Sequence, residues 1–236
     1  MKAVDSETAD SGTPRVRGAV RSVIEGAIRF TLVSLGGFAV WAFAGGWFYR
    51  NTGEAGLYAA STVVFIGLAG WLLHPLVAGP HPVARLLGVF VPAFLAYAVV
   101  WCVFWFMLRF GAGEWLGSLA GSVAFVGVAG WRFGNLRPVV KASLVFFAAH
   151  SAGYFAGGEL MDVMSGAGAR EWLGGVSREA QGALAKLSWG LLYGIGFGAG
   201  LGYAFHVLQK GKADRGFGNP NHSRAGDSDG SSRSSR

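Results

Sequence analysis

The charged residues of this chain fall in clusters, and between them lie six uncharged stretches of roughly 17 to 30 residues. As a helix rising about 1.5 Å per residue, each can cross about 30 Å of hydrocarbon. A soluble core does not account for them: charged residues make up 14% of the chain and hydrophobic ones 52%, about half the charge of a soluble domain. The spacing predicts an all-α, polytopic transmembrane bundle with spans at about 30–49, 56–76, 86–108, 115–132, 141–158 and 186–209. Residues 1–28 are then a partly disordered cytoplasmic segment and 29–209 the membrane domain. The tail 210–236, rich in Ser, Gly and Arg without apolar periodicity, is expected to be disordered and cytoplasmic.

An even number of spans puts both ends on one side. Fifteen of the 20 Lys and Arg fall on the side holding the termini and the loops near 74–86 and 132–141, which makes that side the cytoplasm of a bacterial plasma (inner) membrane. Arg132, Arg137 and Lys141 in one short loop carry this bias independently of the termini. A cleaved leader ending at Ala42-Phe43-Ala44 is the competing reading of span one. It needs an unusually long leading segment containing four acids, and span one has a counterpart elsewhere in the chain.

That counterpart comes from an internal repeat. Shifting the chain by 60 residues lays 30–77 over 90–137 with 14 of 48 positions identical, among them Trp41 over Trp101 and Gly53-Glu54 over Gly113-Glu114. Phe65-Ile66-Gly67-Leu68-Ala69-Gly70-Trp71 matches Phe125-Val126-Gly127-Val128-Ala129-Gly130-Trp131 at five of seven positions. Each unit is a two-helix hairpin, so the copies are parallel. Spans five and six are either a third, diverged copy or a separate hairpin: Gly168-Ala169-Arg170-Glu171-Trp172-Leu173-Gly174 echoes Gly111-Ala112-Gly113-Glu114-Trp115-Leu116-Gly117, but with an insertion before the second helix.

Small residues let helices approach in lipid, where apolar surface alone gives no drive to associate. Gly190, Gly194, Gly198 and Gly202 recur every four residues as a glycine zipper, with Gly196 and Gly200 beside them and His206 next on the stripe. This marks span six as a closely crossed helix, with a homo-oligomer interface or a glycine-lined path as alternatives. Ala149, Gly153 and Gly157 make a milder stripe on span five, so spans five and six are the expected tight pair.

His150 falls near the bilayer midplane with Tyr154 one turn on, and together with His206 they form the candidate intramembrane polar site. A neutral histidine bonded to a tyrosine or a carbonyl meets the cost of burial without further function; proton transfer, substrate contact and metal ligation are the alternatives. Glu54, Glu114 and Glu171 are candidate outer acidic positions, each placed to start a helix where its dipole favours a carboxylate, or to ring the mouth of a cation path. Ser177 is placed to cap the helix leading into span six.

Several classes are disfavoured. With Cys102 the only cysteine, a cysteine-based metal site is not expected, and no metal-ligand spacing, phosphate loop or paired carboxylates occur in the spans. His206 lies too near the cytoplasmic end to pair with His150 on a haem, so no cofactor is expected. Gly121-Ser122 lacks the glycine that follows the nucleophile of intramembrane serine proteases. The basic pI of 9.9 reflects residues flanking spans, so nucleic acid is not an expected partner. The expected partners are the lipid bilayer and either further copies of this chain or other membrane subunits. A noncatalytic structural or assembly subunit is the first expectation, a small-solute or ion transporter or channel using His150 the second, and a membrane-embedded redox enzyme the third.

Overall fold

The computed structural model describes residues 18–108 and 111–213, so most of the N-terminal segment and of the tail lies outside the described residues. Every described element is helical. Among the described residues six helices are long and apolar enough to cross a membrane, and the protein is an integral membrane protein. The first is a rod from Ala19 to Asn51, made of α1 (Ala19–Ala39), a π-helical turn (Val40–Ala44) and α2 (Gly45–Asn51). The others are α3 (Gly53–Leu73, extended by a 3-10 turn to Leu76), α4 (Pro82–Leu108), α5 (Ala112–Phe133), α6 (Val139–Ser165) and α8 (Arg178–Ala213). A short α7 (Ala167–Trp172) lies between α6 and α8.

Helix ends depart from the charge boundaries. The first begins at Ala19, inside the segment assigned to 1–28, and the last runs to Ala213, past 209. The reason is packing: Arg21 and Glu25 form an i,i+4 pair at 2.7 Å while Ser22, Gly26 and Phe30 on the other face are buried. A charged residue ends an apolar run but does not end a helix that still has a neighbour to pack on.

The core is aromatic. Phe197 of α8 is fully buried, with ring centroids 4.4 Å from Phe30, 4.8 Å from Phe146 and 5.6 Å from Phe125, which joins α1, α5 and α6 around one side chain. Large apolar side chains face outward instead, including Val63, Trp71, Met107 and Val140, as a hydrocarbon surround permits and water would not.

α8 packs most extensively on α6 and α1. Its two glycine rows divide the work. A Cβ on Gly198 would lie 2.8 Å from Phe30 Cβ, and one on Gly194 2.6 Å from Thr31 Cα, so the Gly190–Gly202 row meets α1. A Cβ on Gly196 would lie 2.8 Å from Gly153 Cα and one on Gly200 3.0 Å from Phe146 Cα, so the second row meets α6. The expected pair of spans five and six is therefore half of a three-helix contact. Its other half depends on Gly26, within the charged segment that the sequence reading leaves outside the membrane.

Two irregularities are compensated by side chains from neighbouring helices. Pro92 inside α4 leaves the Gly88 carbonyl without its helical donor, and Arg132 Nε at the end of α5 donates to that oxygen at 2.8 Å. Within the π-helical turn of the first rod, Trp41 O accepts from Lys186 Nζ at 3.4 Å, with the same ammonium 4.8 Å from the Trp41 ring centroid.

Candidate functional site

His150 has no solvent exposure. α6 carries it at mid-helix, and residues one turn away on either side, Phe146 and Tyr154, share its face, with centroids 6.2 and 6.0 Å from the imidazole. Edge-on rings close the remainder: Tyr97 at 5.4 Å from α4, and Tyr193 and Phe197 at 5.6 Å from α8. Nε2 shares a 2.8 Å hydrogen bond with the Tyr97 hydroxyl, and the Tyr193 phenol lies beside that of Tyr97. The histidine thus meets a tyrosine, the arrangement that satisfies a buried imidazole most simply. The partner is Tyr97 rather than the neighbouring Tyr154.

Tyr154 turns toward the rim opposite the termini, where its hydroxyl donates to Glu114 Oε1 at 3.3 Å. Trp101 and Trp189 flank it with centroids at 6.0 and 5.7 Å. Glu114, Tyr154, His150 and Tyr97 therefore form a polar and aromatic column from that rim to the middle of the bundle. His150 Nδ1 and the Trp101 and Trp189 indole nitrogens beside this column, and elsewhere Ser118 and Ser151 Oγ, are buried without a hydrogen-bond partner among the described residues. Such groups are costly in a low-dielectric interior.

His206 does not join this site. It lies about 13 Å further along α8 than Phe197 at about 1.5 Å per residue, with Nδ1 3.5 Å from Ser22 Oγ, where it links α8 to α1. Among the described residues no three His, Cys, Asp or Glu converge as a metal site. Glu54 and Glu114 occupy the first turns of α3 and α5. Glu171 does not start a helix: it sits near the end of α7, which is closed by Gly174 and Gly175 at φ 74° and 75°, and the acid in the first turn of α8 is Glu179. Ser177 does cap α8, its Oγ accepting from Ala180 N at 3.2 Å.

The sequence reading misses Tyr97 and Tyr193, which complete the site around His150. Tyr97 carries one faint signal: it is the single phenol in α4, whose residues after Arg85 are otherwise apolar, at a position that the 60-residue shift aligns with Gly37. No family model, curated protein or solved structure matches the chain.

Proposed function

We propose that this protein is a noncatalytic structural or assembly subunit of a membrane complex, resident in a bacterial inner membrane with both termini cytoplasmic. The observation that carries the reading is the closed aromatic shell around His150. The histidine's Nε2 is engaged in a bond to Tyr97 that ties α4 to α6, and its ring is closed off from solvent. Outward-facing indoles supply surface for lipid or partner helices, with Trp71 69% and Trp131 67% exposed at equivalent repeat positions.

The parallel duplication belongs to the same reading. Phe30 and Phe65 meet edge to face at 5.6 Å and 79°, and their counterparts Phe90 and Phe125 at 6.1 Å and 73°. Arg29 Nη1 donates to Leu72 O in the first unit; in the second, Arg132, the counterpart of Leu72, donates back to Gly88 O. The two units thus use the same junction with the donor on opposite helices.

Co-purification of the tagged full-length chain in mild detergent tests the proposal. A stoichiometric membrane partner is the expected result, retained in His150→Phe at normal expression. A solitary chain that carries solute across proteoliposomes, with flux abolished by His150→Phe, would overturn it. That second outcome belongs to the transporter or channel reading, which draws on the unpartnered polar atoms of Ser118, Ser151 and His150.

A further inference from the structure

The rim opposite the termini carries a charged groove of about 810 Å3, separate from the His150 column. It lies among the end of α6, α7 and the start of α8, and its lining includes Ser165, Arg170, Glu171, Arg178 and Gln181. Its floor is braced: Gln181, 8% exposed, donates through Nε2 to Gly166 O at 2.9 Å and to Met164 O at 3.0 Å. Arg170, which lines the groove, is pinned through Nε to Val176 O at 3.2 Å. Arg170 and Arg178 both line the groove, so two cationic side chains share it with Glu171.

Depth decides what this groove meets. α6 has 27 residues. At about 1.5 Å each they span about 40 Å, more than the hydrocarbon core of about 30 Å, so an end of the helix stands in the headgroup layer. Trp172, 63% exposed beside the groove, has the amphipathic ring that settles at that level. Guanidiniums suit phosphate oxygens, and Glu171 places a carboxylate within the same lining as Arg170 and Arg178. A phosphate joined by a short linker to a primary ammonium matches both charges. A choline offers Glu171 no N–H donor, and a glycerol headgroup offers it no cation.

From this juxtaposition we infer that the groove binds the headgroup of phosphatidylethanolamine, with Arg170 and Arg178 on the phosphate and Glu171 on the ammonium. The inference needs only that the rim sits at a bilayer surface, and is independent of whether the protein is a scaffold or a transporter.

The full-length protein in nanodiscs of phosphatidylcholine, doped with equal fractions of phosphatidylethanolamine and phosphatidylglycerol, is released for native mass spectrometry. Retention of phosphatidylethanolamine above both other lipids is expected. Arg170→Gln with Arg178→Gln should weaken retention by about tenfold or more, as loss of charge-assisted bonds implies. Glu171→Gln should keep phosphate binding but lose the preference over phosphatidylglycerol. These side chains are exposed, and unchanged thermal unfolding of the variants establishes that they fold. Equal retention of the three lipids, or retention unaltered by the paired arginine change, overturns the inference. Binding of soluble glycerophosphoethanolamine without retention of the lipid also overturns it, because the source would then be a free phosphate compound.

Discussion

The Tyr97 hydroxyl and His150 Nε2 meet in a 2.8 Å hydrogen bond across 53 positions of sequence, joining α4 to α6 within a shell of rings. In hydrocarbon neither group has water to fall back on, so each supplies the other's means of being buried.

Removing one partner is therefore expected to cost more than the bond is worth. Tyr97→Phe should destabilise the protein by about 1–3 kcal/mol by leaving His150 unsatisfied. His150→Phe combined with Tyr97→Phe should recover part of the loss. Thermal unfolding of the single and double variants in one detergent measures the coupling. Interhelical bonds in membranes average about 0.6 kcal/mol, and strict additivity would remove the bond from the stability of the fold.

Close helix crossing gives a second, position-specific expectation. Gly198→Val places methyl groups where a Cβ alone would sit 2.8 Å from Phe30 Cβ, and should cost about 1–3 kcal/mol or prevent folding. Gly127→Ala, at a position with nothing within 4 Å, should be neutral or stabilising, since alanine favours a helix by up to about 1 kcal/mol over glycine. Expression level and unfolding midpoint compared between the two report the contrast.

The Pro92 interruption makes a conditional prediction. Arg132→Met should leave the Gly88 carbonyl without its donor, a loss of about 1.5–3 kcal/mol for a bond to a charged group. Pro92→Ala in the same chain restores a helical N–H for that oxygen and should rescue much of the loss. Unfolding of the four-member cycle checks this, and an equal effect of Arg132→Met in both backgrounds would break the proposed link.

Orientation is testable by labelling intact bacteria with an impermeant maleimide in a Cys102→Ala background. Asn51→Cys, exposed at the rim opposite the termini, should label, and Ala78→Cys, exposed at the other rim, should label only after permeabilisation. The reverse pattern would invert the charge-based assignment.

How much of this was legible beforehand varied with the range of the interaction. Span number and helical class follow from hydropathy summed along one segment, a local property, and the Ser177 cap is likewise readable from its neighbours. Glu171 does not open the following helix because Gly174 and Gly175 end α7 and a new helix begins after them. His150 and Tyr154 stood out as one face of one helix. Tyr97 did not, since nothing near it in the chain refers to α6.

The sequence by itself thus determined the medium, the six helices and the small-residue surfaces on which they could close. Only the tertiary structure decided that the Gly190–Gly202 row meets α1 while its neighbour meets α6, that His206 rests by Ser22 rather than at the central site, and that Tyr97 answers His150. The physical reason is that lipid makes every apolar face equally acceptable, so the choice among faces falls to shape and to the few buried polar groups, whose partners lie on other helices.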